Sequence, residues 1–172
     1  MTANAAPDSL ASRTIRGVGQ TVSWLCLAMV LLTFFIVILR YGFSLGRIWL
    51  QELVTYLHAG LFMLAAAWTL QDDRHVRVDI FYRDASPRAR AWVNLLGSLV
   101  LLLPVCVYLL ITAWPYVFGS WRLLEGSREA GGLPAVFLLK TLIILMPALL
   151  GAQGVLLVLS SLDEIRGQGT ST

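Results

Sequence analysis

The chain has 172 residues, of which 58% are hydrophobic and only 13% are charged, with a formal net charge of +3. A soluble domain of this length needs far more polar surface than such a composition supplies. An ordinary water-soluble enzyme or nucleic-acid-binding module is therefore excluded.

In chain order, residues 1–17 form a polar N-terminal segment that does not read as a secretory signal. It is expected to be a cytoplasmic tail, and its Asp8–Gly17 part leaves open a short interfacial helix. Four apolar runs follow. Val22 to Leu39 carries no ionisable group, Leu53 to Leu70 carries only His58, Ala91 to Phe118 carries none, and Leu133 to Leu162 carries only Lys140. A bilayer core about 30 Å thick is crossed by roughly 20 helical residues. The expectation is an all-α integral membrane protein of four transmembrane helices, spanning about 18–39, 53–70, 88–118 and 134–162 within a membrane domain 18–162. A tail, 163–172, closes the chain. Cys26 and Cys106 fall inside spans and behave there as small hydrophobes.

The segment Gln71–Ala91 holds five arginines and four aspartates. With Arg13, Arg16 and Arg166 it places eight basic residues on one side of the membrane, against Arg40, Arg47, Arg122 and Arg128 on the other. The positive-inside rule puts both termini and this loop in the cytoplasm. Beyond orientation, the loop's charge suits either contact with anionic lipid headgroups or binding of a partner. Ser86 and Pro87 have the N-cap and first-turn chemistry of a helix start.

Tryptophans mark the span ends: Trp24, Trp68 and Trp92 toward the cytoplasm, Trp49, Trp114 and Trp121 toward the outside. Pro104, Pro115 and Pro147 predict local disturbance of the third and fourth helices. His58 and Lys140 are placed within about two turns of the outer surface, which leaves the midplane nearly bare of groups that could hold an ion. No nucleophile–base grouping, phosphate loop or metal-ligand spacing is present. The expectation is no catalytic, substrate-binding or metal site, no cofactor, and no enzymatic activity.

Polar and small residues do form stripes. Gln51, Thr55 and His58 share one side of the second span, and Asn94 and Ser98 one side of the third. Ala148, Gly151, Ala152, Gln153 and Gly154 allow close helix contact in the fourth. Such stripes serve packing within the chain or docking of a partner.

The motifs Arg40-Tyr41-Gly42-Phe43, Trp49-Leu50-Gln51-Glu52-Leu53 and Asp73-Arg74-His75-Val76-Arg77-Val78-Asp79, in that order, carry a resemblance. With Gly126-Ser127-Arg128-Glu129-Ala130-Gly131-Gly132-Leu133-Pro134, Lys140 and Gln153, the chain resembles the small, Q-type (DctQ-like) membrane subunit of tripartite ATP-independent periplasmic (TRAP) transporters. The similarity runs from about Gly17 to Ser161. It implies a subunit of the bacterial inner membrane that enlarges the static scaffold of a large, M-type permease subunit. That large subunit would carry the substrate and sodium sites. A periplasmic substrate-binding protein would deliver the cargo, commonly an organic acid. Membrane lipids are the remaining expected partners, and nucleic acid is not one.

On this resemblance Arg40, Trp49, Glu52, His75, Arg77, Asp79, Lys140 and Gln153 are candidates for structural or partner-interface roles. Arg40 and Glu52 are expected either to pair across the short outer connection or to face headgroups separately. His75, Arg77 and Asp79 either brace the large subunit or close their own loop. Lys140 snorkels to the surface, or reaches Glu129 or a lipid phosphate. The outer segment Trp121–Gly132 is a candidate contact for the binding protein. The competing assignment is a haem-carrying membrane anchor of a respiratory complex. That would require two histidines at matched depth, and only His58 lies within a span.

Overall fold

The computed structural model describes residues 10–72 and 86–167. It is helical throughout the described residues: α1 (Leu10–Gly42), α2 (Ile48–Gln71), α3 (Pro87–Leu96), a π-helical turn (Gly97–Leu102), α4 (Leu103–Leu123) and α5 (Val136–Gly167). Four stretches are long and apolar enough to cross a membrane: Leu10–Gly42, Ile48–Gln71, Arg88–Leu123 and Val136–Arg166. The third combines α3, the π turn and α4.

Local chemistry explains the boundaries. α1 ends because Ser44 adopts a left-handed backbone (φ 55°) and the Leu45 N–H returns to the Leu39 carbonyl at 2.9 Å, a Schellman closure. α3 starts as its sequence predicts: the Ser86 hydroxyl accepts the Ala89 N–H at 3.2 Å, with Pro87 in the first turn. α4 stops where Leu124 turns left-handed (φ 45°).

The π turn stands immediately before Pro104, which has no N–H to donate and whose ring crowds the preceding turn. There the Leu103 N–H reaches back to the Ser98 carbonyl, five residues away. The helix is thus re-routed rather than broken. Helical structure continues through Pro115 and Pro147.

The first helix begins at Leu10, so the part of the tail from Leu10 to Gly17 continues α1 instead of forming a separate interfacial helix. The buried residues Ser12, Ile15, Gly19 and Val22 recur at steps of three and four, a narrow seam of coiled-coil type. That seam lies on α2. Gly19 is required by it, because a Cβ there would come 2.6 Å from the Cβ of Trp68.

Helix α2 in turn packs on α5, and α5 packs on α3 and α4, while α1 touches α5 only lightly. Two glycines bring α5 close to its neighbour: a Cβ on Gly151 would sit 3.5 Å from Cys106, and one on Gly154 2.9 Å from Leu102. The order of packing is therefore α1, α2, α5, α4. Among the described residues α1 and α4 make no sizeable contact that would close this row into a ring. A small core of Ile15, Ala67 and Leu156, flanked by Trp68 and Leu149, ties the row together. The most apolar stretch of α1 is only 6% buried, and that of α5 22%. Most of the helical surface is left for lipid or for other chains.

Candidate functional site

The polar groups of the described residues gather at the two ends of the row, with few between. At one end, the first turn of α2 carries Glu52. One of its carboxylate oxygens accepts the Ser127 hydroxyl, and the other accepts the Leu133 backbone N–H at 2.6 Å. Both donors belong to the α4–α5 connection, which is folded to receive it. The Ser127 N–H donates to the Leu133 carbonyl at 2.9 Å, and the Gly132 N–H to the Glu129 carbonyl at 3.0 Å. The Glu129 N–H caps onto the Ser127 hydroxyl at 3.1 Å.

Two glycines make this loop possible. Gly131 sits at φ 80°, where a side chain is strained. A Cβ on Gly132 would meet Ser127 and come 2.8 Å from the Glu52 carboxylate. The motif Gly126–Pro134 is thereby explained as a socket for one carboxylate.

Beside it, the Lys140 ammonium pairs with the Glu125 carboxylate at 2.5 Å and lies 4.0 Å above the ring of Tyr116. Glu125 lies outside the spans, and the hydrogen bond from Lys140 holds its carboxyl below the ordinary value of 4.5. The Trp121 indole N–H donates to the Thr141 hydroxyl at 2.9 Å, and its ring meets Phe137 edge-on at 4.7 Å. These contacts pin the end of α4 to the start of α5.

At the other end, the Gln71 amide donates to the hydroxyl of Ser12 at 2.5 Å and to its carbonyl at 3.3 Å. Arg16 and Asp72 approach to 3.9 Å, an exposed pair that contributes little. Arg88 is exposed nearby in sequence order at the start of α3.

Several expectations need correction. Glu52 does not pair with Arg40: its acceptors are taken by Ser127 and Leu133, and Arg40 is exposed at the end of α1. Lys140 neither merely snorkels nor reaches Glu129, because Glu125 is nearer along the turn. Trp49 is half-exposed, as befits a residue at a helix end. Gln153 is 3% exposed, and its amide oxygen has no hydrogen-bond partner among the described residues. His75, Arg77 and Asp79 lie outside the described residues. Sequence reasoning missed Ser127, Gly132 and Glu125; the clustered glycines flanking Ser127 were the available signal.

His58 is also deeper than expected. α2 starts at Ile48, not at Leu53. His58 lies nine residues after Trp49 and ten before Trp68, about 14 and 15 Å along the helix. It is exposed, stacked on Phe62 at 6.3 Å between ring centroids.

The chain matches, over residues 29–168, the family described as tripartite ATP-independent periplasmic transporters, DctQ component. It is also 29% identical over 108 residues to a Haemophilus influenzae protein named as a TRAP transporter small permease protein, a match that spans 60% of this chain and 62% of that relative. No solved structure matches the chain. The family match extends from the middle of α1 to the end of α5 and so takes in the Glu52 clasp. On that evidence the chain is a multi-pass protein of the bacterial inner membrane and belongs to the DctQ component family of tripartite ATP-independent periplasmic transporters.

Proposed function

We propose that this chain is the static scaffold subunit of a sodium-coupled TRAP transporter. In that role it would hold a large permease subunit in place without touching the cargo, an organic acid delivered by a periplasmic binding protein. Family membership supports a transport-associated subunit, and it favours this reading over a haem-carrying anchor. The observation that carries the scaffold role is the open helix row. Its ends are pinned by the Glu52 and Gln71 contacts, and its sides remain largely uncovered. A body held stiff at both ends and bare along its length suits a support for something larger.

The proposed orientation follows the arginine count, with both termini in the cytoplasm. The clasp would then face the periplasm, next to the segment that the binding protein would approach. His75, Arg77 and Asp79 would brace the large subunit from the cytoplasmic side.

Reconstitution tests this reading. Sodium-driven uptake of an organic acid into liposomes is expected only when this chain, the large permease subunit and the binding protein are all present. Uptake by the large subunit and binding protein at an undiminished rate without this chain would remove the scaffold role.

A further inference from the structure

Exposed hydroxyls along the spans are answered by their own helices. Thr33 donates to the Met29 carbonyl at 2.7 Å, and Thr112 to the Tyr108 carbonyl at 2.8 Å. A histidine cannot be answered that way, since its ring does not fold back onto the preceding turn. His58 is therefore different in kind. It is exposed at mid-span, and among the described residues no group donates to it or accepts from it. A neutral imidazole carries one donor and one acceptor. Hydrocarbon satisfies neither, and a polar group left so in a membrane is costly.

The surroundings of His58 are patterned. Gln51, Thr55, His58 and Phe62 are all exposed and fall on one line of α2. The line continues through the partly buried Ala65 and Thr69. Steps of four, three, four, three and four residues separate these six positions. That is the spacing of a helix-packing seam, and it matches the steps by which α1 lies on another side of the same helix. The exposed side of α1 is of a different character, with Val30, Leu31, Phe34 and Phe35 at 50–64% exposure, and suits lipid tails. Within the uncovered surface of α2 there is thus a ready-made seam with an imidazole at its centre.

We propose that this seam receives a transmembrane helix of the large permease subunit, and that a hydroxyl, amide or carboxyl side chain on that helix hydrogen-bonds His58 near the bilayer midplane. The proposal rests on the subunit reading above. The seam supplies shape: small residues in its cytoplasm-proximal half, where Ala65 permits close approach, and larger ones beyond. The imidazole supplies register, because one polar contact in an apolar interface fixes how two helices slide past each other.

The test uses the chain co-expressed with its large permease subunit. A benzophenone-bearing phenylalanine is placed in turn at Thr55, Phe62, Val30 and Phe34, and the complexes are irradiated in membranes. Adducts with the large subunit are expected from Thr55 and Phe62. In parallel, His58→Leu is expected to lower the large subunit recovered in mild detergent by about three- to tenfold, while His58→Gln keeps most of it. The melting temperature of the isolated chain should be unchanged in both variants, because His58 supports nothing within it. Adducts from Val30 and Phe34 alone overturn the seam, as do adducts from Thr55 and Phe62 only with a second copy of this chain. Undiminished recovery with His58→Leu also overturns it. If the wild-type chain recovers no large subunit at all, the subunit reading falls first, and the seam with it.

Discussion

Glu52 and Leu133 are 81 positions apart, yet a carboxylate oxygen of one accepts the backbone N–H of the other at 2.6 Å. Three helices intervene in the chain between them. The bond fixes the α4–α5 connection onto the first turn of α2, and with it the relative height of the α1–α2 hairpin and the α4–α5 pair. Replacing Glu52 by Ala removes both acceptors and leaves the Leu133 N–H without its partner. Glu52→Gln keeps an acceptor but loses the charge that strengthens such bonds. The melting temperature in detergent is expected to fall for Glu52→Ala and to fall less for Glu52→Gln. Equal melting of both variants and the wild type would show that the clasp carries no strain-bearing role.

The socket should be as sensitive as the carboxylate it holds. Gly132→Ala forces a methyl against Ser127 and Glu52, and overpacking of this kind costs about 1–3 kcal/mol. Gly126→Ala, whose Cβ would rest 3.3 Å from the Pro134 backbone, should cost less. Chemical denaturation in mixed micelles orders the two.

Acid should loosen the neighbouring ion pair. Folding lowers the Glu125 carboxyl below its ordinary value of 4.5, chiefly through the hydrogen bond from Lys140. A carboxyl depressed by folding contributes stability above its unfolded pKa and loses it as pH falls through the lower, folded value. The wild type is therefore expected to lose melting temperature on acidification below about pH 4.5 more steeply than Glu125→Gln. Parallel curves for the two proteins would count against the pair.

The α1–α2 seam offers a matched comparison between two glycines only two residues apart. Gly19→Ala collides with Trp68 and should destabilise by about 1–3 kcal/mol. Gly17 has open space around it. Gly17→Ala should instead stabilise by roughly 0.5–1 kcal/mol through helix propensity. The opposite order of the two effects would contradict the packing described for α1.

Much of this architecture is legible in the sequence, because hydrocarbon imposes a simple rule. Four uncharged runs of sufficient length give four helices, and Ser86-Pro87 marks a helix start that the structure repeats. Gly151 and Gly154 were readable as close-contact residues for the same reason. Pairings across the chain were not. Arg40 looked like the partner of Glu52 because it is near in sequence and opposite in charge. The actual partners are a hydroxyl and a backbone N–H, groups that carry no charge to advertise them. The depth of His58 was misjudged because Ile48 to Glu52 reads as a polar connection, although it already belongs to α2. The cytoplasmic candidates His75, Arg77 and Asp79 lie outside the described residues.

The wide turn at Gly97–Leu102 acts as a rotary joint in the third span. Taking one residue out of it would let an ordinary ladder re-form and swing everything downstream by about 100°. Cys106, Ala113, Val117 and Ser120, which now face inward, would be carried round toward the lipid. The loop that holds Glu52 hangs from the far end of that same rod, so a single-residue deletion some distance away would unlatch it.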